Sequence, residues 1–356
     1  MEGEKMPLDI IINRCPIGST HSVYVIAEMS ANHGQDFEQA VQIIKAAKEA
    51  GADAIKLQTY TPDTITIDCD NEYFRIDKGT IWEGKNLYEL YKEAYTPWDW
   101  QPKLKKIAND LGLDLFSTPF DNTAVAFLEN MDVPAYKIAS FELVDIPLIQ
   151  RVAQTGKPII MSTGMATLSE IDEAVHTARE AGATQIALLK CTSAYPADPA
   201  DMNLRTISHM AEAFQAPVGL SDHTLGIAVP VAAVALGACI VEKHFTLSRS
   251  RPGPDSAFSL EPQEFKSMVE AIRTSEKALG KISYEVTENE AASRVFRRSL
   301  FVVKDMKAGD VFTEENVRSI RPGYGLNPRY IVNIIGRCSS KDISKGTPIS
   351  WDLLQG

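Results

Sequence analysis

Two histidines, His223 in "GLSDHTLG" and His244 in "CIVEKHF", each close a short apolar run. A pair of imidazoles suits Mn, Fe, Co or Zn better than Mg, and two protein nitrogens leave the other coordination positions open to water and substrate. The alternative is a pair of satisfied structural histidines. Lys56 in "AIKLQ" and Lys137 in "AYKIAS" are flanked by apolar residues, and a buried ammonium without a partner is costly. Each fits either a Schiff-base nucleophile or a cationic clamp on phosphate or carboxylate. Hydroxyls at corresponding places in other runs, Thr118, Ser140, Ser162, Ser193 and Ser221 among them, favour the clamp, because they surround an anion with donors. Glu28 and Asp222 are candidate acid–base groups or sugar-hydroxyl ligands. The "NHG" at 32–34 places Asn32 and His33 near substrate or simply forms a turn.

These side chains need a scaffold that gathers them. Eight short β-branched or apolar runs recur along the chain: "VYVIAEMS", "AIKLQTY", "LDLFSTPF", "AYKIAS", "PIIMSTGM", "QIALLKCTS", "PVGLSDH" and "CIVEKHF". Between them lie stretches with helical spacing, such as "FEQAVQIIKAAKEAG" and "LSEIDEAVHTAREAG", so the alternation predicts a parallel sheet. Eight strand–helix units point to a closed (β/α)8 TIM barrel of class α/β. No GxGxxG follows the first strand and no GxxxxGK[ST] occurs, which removes the usual nucleotide signatures of the open fold. Active sites of such barrels lie at the C-terminal ends of the strands, where the polar residues above fall in a ring with Gln58, Thr163, Thr192 and Glu242. Within "GIAVPVAAVALGA", Pro230 predicts a break or kink. Residues 61–98 form a long aromatic-rich insertion, of the kind that serves as a lid or interface.

After residue 280 the pattern changes. Residues 281–294 read as a linker, and residues 295–356 as a small sheet domain in which "KDMKAGDVFTEENV" and "KDISKGTPISWDLL" match in outline as an internal duplication. The 356 residues, 44% of them hydrophobic, suffice for a full core, and the net charge of −11 argues against nucleic acid or an anionic membrane as partner. No apolar run approaches the roughly 20 residues of a membrane span. The charged "MEGEKMPLDI" lacks an export-type segment, so a soluble, cytoplasmic protein is expected. The five cysteines show no CxxC spacing, which suggests neither a disulfide framework nor a zinc–thiolate site.

The motifs "AEMSANHG", "AIKLQTY", "STPFD", "YKIAS.E", "MSTGMA", "CTSAYP", "GLSDHT", "EKHFT", "RPGPD" and "RRSL" occur in this order, and together they resemble the sialic acid synthase family over nearly the whole chain. The C-terminal part resembles that family's antifreeze-like (SAF, β-clip) domain. "SANHGQ" and the insertion are most similar to the pseudaminic acid branch; the neuraminate branch tends to carry Asn where this chain has Ser193. The resemblance implies condensation of phosphoenolpyruvate with an N-acylated amino sugar in its open-chain form, here 2,4-diacetamido-2,4,6-trideoxy-L-altrose, to give a nonulosonic acid and phosphate. By the same resemblance Lys56, Thr118, Lys137, Ser140, Ser162, Ser193 and Ser221 surround phosphoenolpyruvate. Glu28, Tyr195, Asp255 and Phe296 contact the sugar, and His223 and His244 hold a divalent metal, Mn or Mg. It also implies a domain-swapped homodimer, in which Arg321 of "IRPGYG" reaches the partner's sugar pocket. A linker of about thirteen residues spans roughly 40 Å when extended.

Overall fold

The structure, a computed structural model, describes residues 9–76, 81–251 and 253–355. The N-terminal reading on residues 1–8, part of the insertion at 77–80 and Pro252 of "RPGPD" lie outside them. Two compact units are present, Met1–Gly280 and Lys281–Gly356.

In the first unit the eight apolar runs are the eight staves of a closed parallel barrel. They follow an N-terminal hairpin, β1 (Ile10–Ile12) and β2 (Cys15–Ile17), and are β3 (Tyr24–Glu28), β4 (Ala54–Thr59), β5 (Asp114–Pro119), β6 (Tyr136–Ile138), β7 (Ile159–Ser162), β8 (Ile186–Cys191), β9 (Val218–Asp222) and β10 (Ile240–His244). Strands buried on both faces read as continuous apolar runs, and β3, β6, β7, β9 and β10 are buried at every residue. The barrel closes where β10 pairs with β3 from Ile240↔Tyr24 to His244↔Glu28.

The helices between staves start at polar caps. Asp36 accepts from the Glu38 and Gln39 amides to open Phe37–Glu49, and Thr167 with Glu170 forms a capping box ahead of Leu168–Glu180. The kink expected at Pro230 does not form: the helix Ala228–Ala235 begins two residues earlier, so Pro230 sits in the first turn, where an amide has no intrahelical partner to lose.

The hairpin β1–β2 has no counterpart in the sequence reading. Its turn residues Asn13 and Arg14 both take positive φ, 44° and 72°, the backbone of a tight hairpin connection. Ile10, Ile12 and Ile17 join the barrel core. Asn13 Nδ2 donates to Asp114 at the start of β5, and the Ile11 amide donates to Gln185 just before β8, so the hairpin covers the N-terminal mouth.

The insertion between β4 and β5 is ordered by short elements: helices Pro62–Ile65 and Leu87–Ala94, and 3-10 turns Glu72–Phe74 and Trp98–Trp100. The Trp98 indole donates to the Tyr60 carbonyl, and the Tyr60 ring meets Tyr91 edge-on. No helix among the described residues is long and apolar enough to cross a membrane.

The second unit starts earlier in structure than its composition suggests. Within the stretch read as linker, Thr287 and Glu290 form a capping box for Glu288–Ala291, and a 3-10 turn Ala292–Phe296 follows. Then β11 (Ser299–Val302) pairs antiparallel with β12 (Val317–Ile320). The duplicated segments face each other: Met306 and Ile343 exchange backbone hydrogen bonds, the Asp305 carboxylate accepts from the Lys345 amide, and the Asp342 carboxylate accepts from the Ala308 amide. Gly309 and Gly346 hold the same φ of 88°.

Candidate active site

The C-terminal ends of the staves bring most of the candidate residues into one buried pocket. Lys56 and Lys137 are 4% and 2% exposed, and neither lacks a partner. Lys56 Nζ lies 2.6 Å from Glu28 Oε2, 3.6 Å from Glu242 Oε1 and 3.4 Å from Thr118 Oγ1. Lys137 Nζ donates to Ser162 Oγ at 2.6 Å and to the Ile138 carbonyl at 3.1 Å. Ser221 Oγ donates to Glu242 Oε1 at 3.3 Å. Burial lowers the Lys137 pKa. It acts the same way on Lys56, but Glu242 and Glu28 outweigh it and raise that ammonium above its usual value.

Two carboxylates flank Lys56 and titrate in opposite directions. Glu28 is raised, first by burial and then by Glu242, against the pull of Lys56. Burial acts on Glu242 as well, yet Lys137, Lys56 and His223 overcome it and hold the carboxyl below its usual range. Environments that push like groups apart make Glu28 the weaker acid of the two and Glu242 the more persistent anion.

Next to the lysines is a cradle of hydroxyls. The Gly164 amide donates to Ser140 Oγ at 3.1 Å. A Cβ on Gly164 would stand 2.2 Å from Ser193 Oγ and 2.7 Å from Ser140 Oγ, so only glycine leaves these hydroxyls their place. Donors converging from three loops beside an ammonium form an anion site.

His223 and His244 end adjacent staves with ring centroids 5.4 Å apart. His223 Nδ1 is 2.9 Å from the Thr192 carbonyl, which orients the ring and leaves Nε2 to another partner. The Nδ1 of His244 is buried without a hydrogen-bond partner, and burial, then the nearby His223 and lysine cations, holds its pKa well below the usual value, so the imidazole is neutral. Among the described residues no group of three or more His, Cys, Asp or Glu side chains is arranged to hold a metal. The donors offered are therefore the two imidazoles. A neutral, unpartnered imidazole beside an oriented one fits a divalent cation that keeps open positions.

Tyr195 lies against His223, its ring 4.3 Å away, and 5.2 Å from Phe258, whose ring in turn meets His244 at 4.9 Å. Asp255 is buried and accepts from Ser30 Oγ; Gln58 Nε2 donates to both Ser30 Oγ and Glu28 Oε1, at 2.9 and 3.0 Å. A continuous hydrogen-bonded chain thus joins Asp255 to Glu28.

A model of the NeuB family matches residues 43–284, and one of the SAF domain matches residues 297–355. The chain belongs to the NeuB family. It is 48% identical to the pseudaminic acid synthase of Campylobacter jejuni (serotype O:23/36), over 91% of this chain and 94% of that protein. It is 46% identical to the pseudaminic acid synthase of Helicobacter pylori, over 93% and 97%. Among solved structures, the N-acetylneuraminic acid synthetase of Leptospira borgpetersenii in complex with citrate superposes with a TM-score of 0.72 at 32% identity, covering 82% of this chain and 96% of that one.

Not every candidate lies in the pocket of this NeuB-family barrel. Asp222 is a correction: its side chain is fully buried in an ion pair with Lys243 and accepts from the Thr224 amide and hydroxyl. Asp222 and Lys243 are register partners on β9 and β10, one residue beyond the Ser221–Glu242 pair. Side chains alternate faces along a strand, so Asp222 is turned from the pocket that Glu242 enters. Asn32 and His33 belong to the turn. Asn32 Nδ2 donates to the Phe245 carbonyl and Ser259 Oγ, and His33 bonds Thr96.

Phe296 and Arg321 belong to the second unit, both exposed. The Gly323 amide donates to the Val295 carbonyl, which joins the two segments at one edge. A Cβ on Gly325 would meet the Leu300 carbonyl oxygen at 2.2 Å, which explains a glycine in "RPGYG".

Two carboxylates were not singled out for a role by sequence, Glu242 and Glu142. Glu142 sits in the 3-10 turn Ser140–Glu142 after β6 with a buried, unpartnered Oε2, and burial raises its pKa to about 7 against the pull of Lys137. Its signal was the final letter of "YKIAS.E", two residues beyond Ser140.

Proposed function

We propose that this chain is a pseudaminic acid synthase, which condenses phosphoenolpyruvate with 2,4-diacetamido-2,4,6-trideoxy-L-altrose to give pseudaminic acid and phosphate. The observation that carries this reading is the pocket of two lysines and convergent hydroxyls beside an aromatic-covered histidine pair, in a chain close in sequence to named pseudaminic acid synthases over nine-tenths of its length.

Lys56, Lys137 and the hydroxyls of Thr118, Ser140, Ser162, Ser193 and Ser221 bind phosphoenolpyruvate, whose charges require local cations in a protein of net charge −11. Glu28, Tyr195 and Asp255 orient the open-chain sugar so that its aldehyde carbon faces C3 of the enol. As the C–C bond forms, Glu28, whose carboxyl pKa is raised by burial, delivers a proton to the aldehyde oxygen. Positive charge then develops at C2 and is stabilised by ionised Glu242. Glu142, about half ionised at neutral pH, takes a proton from the water that adds at C2; the C2–O bond then breaks, phosphate leaves with its bridging oxygen and the proton of the new C2 hydroxyl, and C2 becomes the keto carbon. His223 and His244 would hold the divalent cation, Mn or Mg, which supplies Lewis-acid polarisation of a carbonyl oxygen when bound.

The active assembly is a domain-swapped homodimer in the cytoplasm, with Arg321 and Phe296 completing the sugar site of the other copy. Exposure of both residues in their own unit supports this.

The test is to incubate the protein and Mn2+ with phosphoenolpyruvate and a panel of acetamido and diacetamido hexoses, with bridge-18O phosphoenolpyruvate in one arm. The expected result is phosphate carrying the label and pseudaminic acid identified by NMR. Conversion of N-acetylmannosamine instead makes the chain a neuraminate synthase. A borohydride-trapped pyruvate adduct on Lys56 or Lys137 makes it a Schiff-base aldolase.

A further inference from the structure

The insertion between β4 and β5 reaches the sugar end of the pocket through Trp82. Its indole Nε1–H donates to the Pro254 carbonyl at 2.9 Å, and its ring lies 5.6 Å from that of Tyr195, tilted by 55°. Tyr195 packs against His223 and Phe258, and Phe258 packs 4.9 Å from His244. Pro254 directly precedes Asp255, the buried carboxylate at the head of the chain through Ser30 and Gln58 to Glu28. One side chain from outside the barrel thus grips the ring of one candidate sugar contact and the backbone beside another.

We propose that Trp82 is a specificity-determining positioning residue, which sets Tyr195 and the Pro254–Asp255 backbone at the spacing that selects a 6-deoxy, acetamido-substituted sugar. This rests on the synthase reading above. The indole N–H is spent on Pro254, so the ring surface that Trp82 adds beside Tyr195 is carbon. Such a wall accepts the methyl of a deoxy position or an acetamido group, and it disfavours a hydroxymethyl group that must shed water without a replacement hydrogen bond. Lys56 and Lys137 are paired with groups on the barrel staves and their loops, so the effect falls on the sugar and not on phosphoenolpyruvate.

Steady-state kinetics of the full-length protein with Trp82→Ala and Trp82→Phe decides this, using 2,4-diacetamido-2,4,6-trideoxy-L-altrose and its 6-hydroxy counterpart. In Trp82→Ala the KM for the deoxy sugar rises and the preference over the 6-hydroxy sugar falls, each about tenfold, by the size of a single apolar contact. The KM for phosphoenolpyruvate moves by less than about twofold, as expected when only sugar binding is lost. Trp82→Phe, which keeps a ring, restores most of the preference. Unchanged sugar KM and preference in Trp82→Ala overturn the inference, as does a parallel rise in both KM values with a lowered melting temperature. Wild-type protein that turns over neither sugar refutes the synthase reading, and the inference with it.

Discussion

Glu28, Glu142 and Glu242 are the same residue type in one pocket, yet burial and neighbouring cations send them in different directions. Glu142 gives a pH signature with a definite sign. Between the ordinary carboxylate range and about 7, the folded protein holds a proton on Glu142 that the unfolded chain has lost. Its contribution to stability therefore falls as pH rises through that window and levels off above about 7. As the base for water addition, Glu142 makes turnover fall as pH drops below about 7. Glu142→Gln is expected to remove that acid limb and to flatten the matching part of the stability–pH curve. It lowers kcat by about 10²–10⁴-fold. A pH–rate profile and urea titrations across pH 4–8 check both. A variant that keeps the limb assigns it to another group.

At the scale of elements, the barrel divides labour between its ends. The C-terminal ends of the staves carry the lysines and histidines, while the N-terminal mouth is sealed by the β1–β2 hairpin. The hairpin escaped the sequence reading because "DIIINRCPIG" is two three-residue strands with a non-glycine turn. Strands that short carry little periodicity, and Asn-Arg is a weaker turn signal than Asn-Gly. Ile12 is wholly buried in the barrel core, so Ile12→Ala is expected to cost about 2–5 kcal/mol of stability. Chemical denaturation should show a lower midpoint, with KM for both substrates unchanged, because the damage is at the opposite mouth. A changed KM would mean that the two ends are coupled.

At the scale of the molecule, the second unit is built on a duplication whose halves satisfy each other: Asp305 and Asp342 accept reciprocal amide bonds from Lys345 and Ala308. It carries exposed Phe296 and Arg321 on joined segments. The swapped-dimer proposal predicts complementation. His244→Ala damages the barrel site and Arg321→Ala the contribution of the other copy, so each homodimer has no intact site. A heterodimer has one site carrying both defects and one with neither. Refolding the two variants together is expected to restore about a quarter of wild-type activity, since random pairing makes half the dimers mixed, each with one intact site of two. Activity no higher than the mean of the two homodimers would place Arg321 and His244 of one chain in one site.

The linear order of apolar runs already determined eight staves and the end of the barrel where chemistry belongs, because strand periodicity and loop placement are local consequences of residue type. It also determined which lysines, hydroxyls and histidines stand at that end. Tertiary structure alone decided which carboxylate meets which cation. Asp222 and Glu242 look equally suited in sequence, but register and the alternation of faces send one to Lys243 and the other to Lys56. Contacts such as Trp82 with Tyr195 join residues more than a hundred positions apart, and no local pattern encodes them. Burial and the cations that oppose it, which together set the opposite shifts of Glu28 and Glu242, come together only once the chain has closed around them.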